Sequence, residues 1–97
     1  MIIFRLNNIK EKIEKRKAKI IKREVKRLEK IAIREFKHAI NEFRSYTRIT
    51  LSTNYYYYDI EIYKELLEKL VKSDKYKGIK FEMQQVDLTC YLFIELE

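Results

Sequence analysis

A row of basic side chains is the feature of this 97-residue sequence best suited to binding a ligand. Eleven lysines and arginines between positions 12 and 37 recur three or four residues apart. Because residues at that spacing share one side of an α-helix, the pattern predicts a helix with a basic face covering about 140° of its circumference. The members of this basic face are Lys12, Lys15, Arg16, Lys19, Lys22, Arg23, Lys26, Arg27, Lys30, Arg34 and Lys37.

The basic face places like charges one helical turn apart, as in Lys15 with Lys19 and Lys22 with Lys26. Each such pair destabilises a helix by about 0.2–0.5 kcal/mol, which a ligand of opposite charge would recover. The glutamates of this segment fall toward the flanks or the apolar side, so they do not neutralise the row. Phosphates of DNA or RNA fit such a face, because Lys and Arg neutralise them without reading base sequence. We therefore predict a sequence-nonspecific nucleic-acid-binding protein.

Other interpretations of the basic face remain open. It could be a solvated helix surface, or it could meet an acidic surface of another protein in a non-enzymatic interaction module. An anionic membrane is the least favoured ligand, because the N-terminal half of the helix lacks Trp and a broad apolar face.

The charge distribution supports a polyanionic partner. The net charge is +7, and residues 1–45 hold 15 Lys and Arg against 6 Glu. Residues 46–97 hold 7 basic against 9 acidic residues, so the whole excess lies in the first half. With Cys90 as its only cysteine, no signal-peptide core and no apolar run of about 18 residues, the chain is expected to be cytoplasmic.

The long basic helix is predicted over residues 8–44. Asn8 followed by Glu11 matches a capping box, and no glycine or proline interrupts the segment. Its apolar side contains Ile21, Val25, Leu28, Ala32, Phe36, Ala39 and Phe43. Because this side thins out toward the N-terminus, we expect the second half to pack on the rest of the chain and the first half to project. The apolar start Ile2–Leu6 is either a brief strand or an adhesive tail.

Residues 45–97 predict a body of strand, helix, strand and strand. The β-branched segment 46–53 alternates as a strand does. Asp59 is placed to cap a second helix. The apolar side of that helix contains Ile60, Tyr63, Leu67 and Leu70, with Leu66 and Val71 beside it.

Two further strands follow Gly78, with alternating residues at 79–84 and 88–96 and a hairpin turn near residues 85–87. A right-handed crossover would join the first strand to the second. The predicted fold is one α+β domain over residues 1–97, a small two-layer sheet with both helices on one face.

Aromatic residues suggest two further surfaces. Tyr55, Tyr56, Tyr57 and Tyr58 could stack on unpaired bases beside the basic face, and the simpler interpretation is that alternate rings anchor a loop. Tyr91 and Phe93 share the outer face of the last strand. That face is a possible protein interface, because a sheet with helices on one side leaves its other side uncovered.

The sequence contains none of the motifs typical of an enzyme. His38 has no second nitrogen or thiolate ligand nearby, and Cys90 among apolar strand residues is typical of a small buried side chain. A glycine-rich phosphate loop, a Ser/His/Asp set and metal-ligand spacing are all missing. We therefore expect no catalytic activity, no metal site and no cofactor.

Self-association is expected, because three apolar features need partners. These are the thin apolar side of the projecting helix, the Ile2–Leu6 start, and the pair Tyr91 and Phe93. We predict a homodimer or a higher oligomer.

In composition, the chain resembles small orphan proteins of viruses, especially those of hyperthermophilic archaea. It is rich in Ile, Lys, Glu and Tyr, lacks Pro and Trp, and has fewer than 100 residues. The stretch Ala39–Leu96 is also similar to a helix-strand-helix-hairpin pattern of small phage proteins. This resemblance implies genome binding, or an inhibitor or assembly factor acting on a protein partner in a host cytoplasm. It identifies no site residue.

Overall fold

The fold is α+β, with a layer of two helices against a three-stranded antiparallel sheet. The computed structural model describes residues 2–97, with side chains from residue 7 onward. In chain order the elements are α1 (Ile2–Asn41), β1 (Tyr46–Leu51), α2 (Asp59–Lys72), β2 (Ile79–Val86) and β3 (Thr89–Leu96), and 3₁₀ turns cover Tyr56–Tyr58 and Asp74–Tyr76. The predicted class and order of elements are confirmed.

α1 begins earlier than the sequence predicts, at Ile2. Asn8 lies within the helix, so its predicted role as the N-cap is wrong, and so is a strand at Ile2–Leu6. Extending a helix by one residue costs much less than starting one, so α1 continues through a residue of modest helix propensity such as Asn8. The apolar side chains of Ile2–Leu6 lie outside the described side chains.

α1 ends at Asn41 rather than Arg44, in a turn that satisfies its last carbonyls. The amide of Phe43 donates to the Ile40 carbonyl, and the amide of Arg44 donates to the Ala39 carbonyl, each at 2.9 Å. These two bonds make a Schellman motif. Phe43 has a left-handed φ of 62°, a conformation that usually selects glycine. Its ring is exposed because the helix has already ended, so its predicted place on the apolar side is wrong.

The second half of α1 packs on the body of the protein and the first half projects. Among the described side chains of α1, the buried ones begin at Ile21 and continue to Ala39. Among residues 7–19 only Lys17 is partly shielded, and its Nζ lies 2.9 Å from Glu61 Oε1 of α2. The molecule measures 63 × 30 × 16 Å, so α1 is about twice as long as the body is wide.

α2 presents a different side to the core than predicted. Ile62, Tyr63, Leu66 and Leu70 are the buried residues, whereas Ile60 and Val71 are exposed and Leu67 is half-buried. Asp59 is the first helical residue rather than the cap, and its carboxylate accepts a hydrogen bond from Thr53 Oγ1. The helix is therefore rotated so that Ile62 takes the place predicted for Ile60.

β3 lies between β1 and β2 and is antiparallel to both. The two outer strands therefore run parallel to each other, with α2 in the connection between them. Leu92 at the centre of β3 lies opposite Ile49 of β1 and Met83 of β2. Leu92 and Ile94 are fully buried and share one core with residues of both helices, so both helices cover the same face of the sheet.

The β2–β3 hairpin turns at Asp87 and Leu88, one residue later than predicted. Asp87 takes a left-handed φ of 55°, which Asp tolerates better than most residues. Leu88 is 100% exposed in this turn, although the alternation of the sequence places it on the core side. Gly78 has a φ of 84° in the turn before β2, which explains the only glycine of the chain.

Candidate nucleic-acid interface

The basic face of α1 lies on the side of the helix opposite its buried residues. Ten of its eleven side chains are exposed, and Arg27 is partly buried. Within the part of the chain that the structure describes, these ten exposed cations form no ion pair. They are Lys12, Lys15, Arg16, Lys19, Lys22, Arg23, Lys26, Lys30, Arg34 and Lys37. The face is therefore open to a large anionic ligand along most of the helix.

Arg27 is held by the protein itself, so assigning it to phosphate is not supported by its contacts. Its Nε and Nη2 donate to the two carboxylate oxygens of Glu24 at 2.9 and 3.1 Å, and Nη2 also donates to the Ser52 carbonyl at 2.9 Å. The backbone amide of Asn54 donates to the same carboxylate at 2.8 Å. These bonds fasten the loop after β1 to α1, so Arg27 positions the loop.

Glu24 is a buried carboxylate that the sequence analysis left without a role. It is only 2% exposed. The hydrogen bonds from Arg27, together with that from the Asn54 amide, outweigh the effect of burial and lower the pKa of Glu24 below its ordinary value. The signal in the sequence is its position on the apolar side of the helix, between Ile21 and Val25.

Replacing Glu24 with glutamine is expected to lower the free energy of unfolding at neutral pH by about 1–3 kcal/mol, since the charged hydrogen bonds are lost. Because the folded pKa of Glu24 is lowered, its contribution is complete above the ordinary value of 4.5 and disappears as the pH falls through the folded pKa. Thermal melts at decreasing pH should therefore show the wild type approaching the variant in acid. Exposed Glu35→Gln is the control, and a gap in melting temperature that is equally wide at every pH would contradict the assignment.

A basic groove runs between α1 and the 3₁₀ turn that follows α2. It encloses about 770 Å³, and its α1 wall includes Lys26, Lys30 and Arg34. Lys69 and Lys75 stand on the other wall, where Lys75 adds a positive charge and Lys69 balances Glu29. They were missed because only the packing of α2 against α1 places them there. The groove presents cations from two elements to one ligand.

Glu29 is the one acidic residue among the residues lining the groove, and its charge is already compensated. Lys69 Nζ lies 2.9 Å from one oxygen, and the Tyr76 hydroxyl donates to the other at 2.8 Å. Burial alone would raise the pKa of Glu29, but these two bonds outweigh it and the pKa is lowered. Burial, with the bond to Glu29, raises the pKa of Tyr76 to about 12. The groove therefore offers a phosphate little repulsion from Glu29.

The four consecutive tyrosines lie beside the N-terminal half of the basic face, in the loop that Arg27 fastens to α1. Tyr55 lines a cleft with basic residues of α1, whereas Tyr56 and Tyr57 point into solvent with their ring centroids 4.1 Å apart. Tyr58 packs against the core, and Lys17 Nζ lies 5.5 Å from the centre of its ring. One ring of the run thus anchors the loop, and the others remain accessible.

Tyr91 and Phe93 lie half-buried on the sheet face that the helices leave uncovered. The Arg48 guanidinium stands 4.8 Å from the Tyr91 ring centre, and the Tyr46 and Phe93 rings are 6.2 Å apart. Neighbouring side chains on the same face therefore shield both residues in part. Their use as an interface stays a prediction.

His38 and Cys90 take up structural positions. His38 Nε2 lies 3.0 Å from Glu42 Oε1 on the surface of α1, and Cys90 is buried in the core, where burial raises the pKa of its thiol. Among the described side chains, no three His, Cys, Asp or Glu residues come together as metal ligands would. No described helix is both long and apolar enough to cross a bilayer.

Comparisons with protein-family models, curated proteins and solved structures give no match to this chain.

Proposed function

We propose that this protein binds nucleic acid through the phosphate backbone and without sequence preference. The observation that carries the proposal is the row of ten exposed cations along one side of α1, which form no ion pair with any described residue. From Lys12 to Lys37 the row extends over about 38 Å of helix. Duplex DNA carries one charge per about 1.7 Å of its axis, so a row of this length can meet many phosphates.

The chemistry of the row favours phosphate contacts over base contacts. Its lysines and arginines are exposed on long flexible stems, and within the described residues only Arg23 makes a side-chain hydrogen bond, to Tyr55. Such cations follow the backbone charge and carry no sequence information. The groove that includes Lys69 and Lys75 widens the basic surface on one side of α1.

Titration of labelled duplex DNA and RNA over a range of salt concentrations tests this function. We expect log affinity to fall linearly with log salt and to be the same for unrelated sequences, because counterion release dominates. A protein that binds no nucleic acid at low salt, single-stranded or duplex, or that binds one sequence much more tightly than others, would refute the proposal.

A protein partner with an acidic surface is the second candidate function. It is favoured by Ile9 and Ile13, which are 53% and 54% exposed on the projecting half of α1, next to the basic face. An amphipathic partner could cover both isoleucines while its carboxylates meet the basic face. An inhibitor or assembly factor of this kind would show no binding in the low-salt titration.

We also propose a homodimer formed through the projecting half of α1. Lys12 and Arg16 lie one helical turn after Ile9 and Ile13, so two copies would bring like charges together. Salt screens this repulsion, and dimerisation is therefore expected to strengthen with salt, whereas nucleic-acid binding weakens. Light scattering should give twice the chain mass of 12.0 kDa at high salt, and Ile9→Gln with Ile13→Gln should restore the monomer. A wild type that stays monomeric at every salt concentration excludes the homodimer.

A further inference from the structure

Two tyrosines stand open in solvent in the loop beside the N-terminal half of the basic face. Tyr56 is 68% exposed and Tyr57 is 80% exposed, and their rings contact each other with centroids 4.1 Å apart. Aromatic side chains bury more apolar surface than most, so leaving two of them in water forgoes considerable stabilisation. A ligand with flat apolar faces would cover them.

The backbone that carries these rings is fixed at both ends. On one side, Glu24 accepts the Asn54 amide at 2.8 Å and Arg27 donates to the Ser52 carbonyl at 2.9 Å. On the other side, Tyr58 packs into the core just before α2 begins. The rings are therefore held in a defined place beside α1 before any ligand arrives, which reduces the entropy lost on binding.

Cations of the basic face adjoin this turn directly. Arg16, Lys19 and Arg23 line one cleft of about 330 Å³ together with Tyr55. Arg23 Nη2 lies 3.5 Å from the Tyr55 hydroxyl, which marks the contact between the basic row and the tyrosine run. An aromatic ring and several positive charges thus line one small cleft.

A nucleotide of a single strand carries the matching chemistry within one repeat. Its phosphate is anionic, and its unpaired base offers a flat face for stacking on an aromatic ring. In a duplex the base faces are already stacked on one another, so rings at the surface of a protein cannot reach them. Cations alone would bind single strands and duplexes alike, but exposed tyrosines beside them add binding energy only for unpaired bases.

We propose that the turn Tyr55–Tyr57 is a stacking site for unpaired bases, and that single-stranded nucleic acid is the preferred ligand of the basic face. This inference rests on the proposed function, since it places the phosphates of the same strand on Arg16, Lys19 and Arg23. The strand would pass from the cleft onto the paired rings of Tyr56 and Tyr57.

The test compares labelled single strands and duplexes of equal length on the full chain. The double variant Tyr56→Leu with Tyr57→Leu keeps apolar side chains but removes the aromatic faces. Stacking is worth a factor of about 5 to 150 in affinity per base, so single-strand affinity is expected to fall by at least about fivefold. Duplex affinity and the salt dependence for either ligand are expected to stay the same, because no charge is lost.

Two controls make the result specific. Tyr46→Leu removes an exposed tyrosine from the opposite face of the sheet and is expected to leave both affinities unchanged. With the wild-type protein, a strand of the same length built from abasic nucleotides is expected to bind at least about fivefold more weakly than a normal strand. This second measurement requires no substitution and therefore does not depend on the folding of a variant.

The outcomes separate this inference from the proposed function. Equal affinity for normal and abasic strands, or no effect of the double variant on single strands, overturns the stacking site while salt-dependent binding keeps the phosphate function. Absence of binding to every nucleic acid at low salt overturns both, and leaves the tyrosines as part of a protein-binding surface.

Discussion

Changing Lys19, Arg23, Lys26 and Lys30 together to glutamine is expected to reduce the salt dependence of duplex binding strongly. All four are exposed on one side of α1. Each neutralised phosphate contributes about 0.9 to the slope of log affinity against log salt, so the magnitude of the slope falls by up to about 3.6. This corresponds to a loss of affinity between about 50 and 200 mM salt that is about 150-fold smaller than in the wild type.

The fold is expected to tolerate this variant. Glutamine is a good helix former, and removing like charges one turn apart relieves repulsion. Circular dichroism should therefore show the same helix content and a melting temperature that is unchanged or slightly raised. Within the described residues, the one side-chain hydrogen bond that this variant loses is the exposed bond from Arg23 to Tyr55.

A charge-matched variant distinguishes the effect of direct phosphate contacts from the effect of the protein's net charge. Changing Arg44, Lys64, Lys72 and Lys77 to glutamine also removes four positive charges, and all four lie outside the basic face. This control is expected to keep most of the salt slope, because only phosphates in contact release counterions. If both variants lose affinity equally, general attraction explains binding and the basic face has no special role. If neither variant changes the affinity or the salt slope, a protein partner becomes the favoured ligand of this surface.

Leu92→Ala is expected to cost about 2–5 kcal/mol of unfolding free energy. Leu92 is fully buried at the centre of the middle strand, with Ile49 and Met83 as its neighbours on the two sides. The substitution removes apolar contacts and leaves a cavity that strands paired on both sides cannot close. For a domain of this size the melting temperature should fall by at least about 8 °C.

The same substitution in the hairpin turn provides the matched control. Leu88 is fully exposed only four residues away in the chain, so Leu88→Ala is expected to change stability by less than about 0.5 kcal/mol. Chemical denaturation of both variants measures the difference directly. Equal midpoints for the two variants would mean that the core is not centred on β3.

Elements with strict periodicity could be predicted from the sequence. Which side of a helix is buried, and at which residue an element begins or ends, often could not. Alternation in β2 and β3 has a period of two residues, which fixes the inner side of each strand, and Gly78 marks the turn before them. α2 has apolar residues at both Ile60 and Ile62, and only packing against the sheet decides that Ile62 is buried. Leu88 continues the alternation of β3 but falls in the turn, because the hairpin needs residues with no strand partner.

The candidate site shows the same division between local and long-range information. The basic face follows from helical spacing alone, so the exposure of ten of its members could be anticipated. Arg27 has the same spacing as the others, but in the tertiary fold it donates to the Ser52 carbonyl, and its partner Glu24 accepts the Asn54 amide. Lys69 and Lys75 join the groove for a similar reason, since they are far from α1 in the chain. Sequence periodicity describes one helix at a time and cannot report contacts between elements.

The central position of β3 has a consequence for synthesis of the chain. β1 and β2 leave the ribosome before the strand that separates them, and neither has its sheet partner until β3 emerges. The β2–β3 hairpin can then close quickly because its strands are adjacent, whereas β1 must find β3 across the whole of α2 and β2. Until that moment the nascent chain exposes unpaired strand edges, which are prone to aggregation. The sheet is therefore protected from aggregation only after β3, the last strand to be synthesised, has paired with β1 and β2.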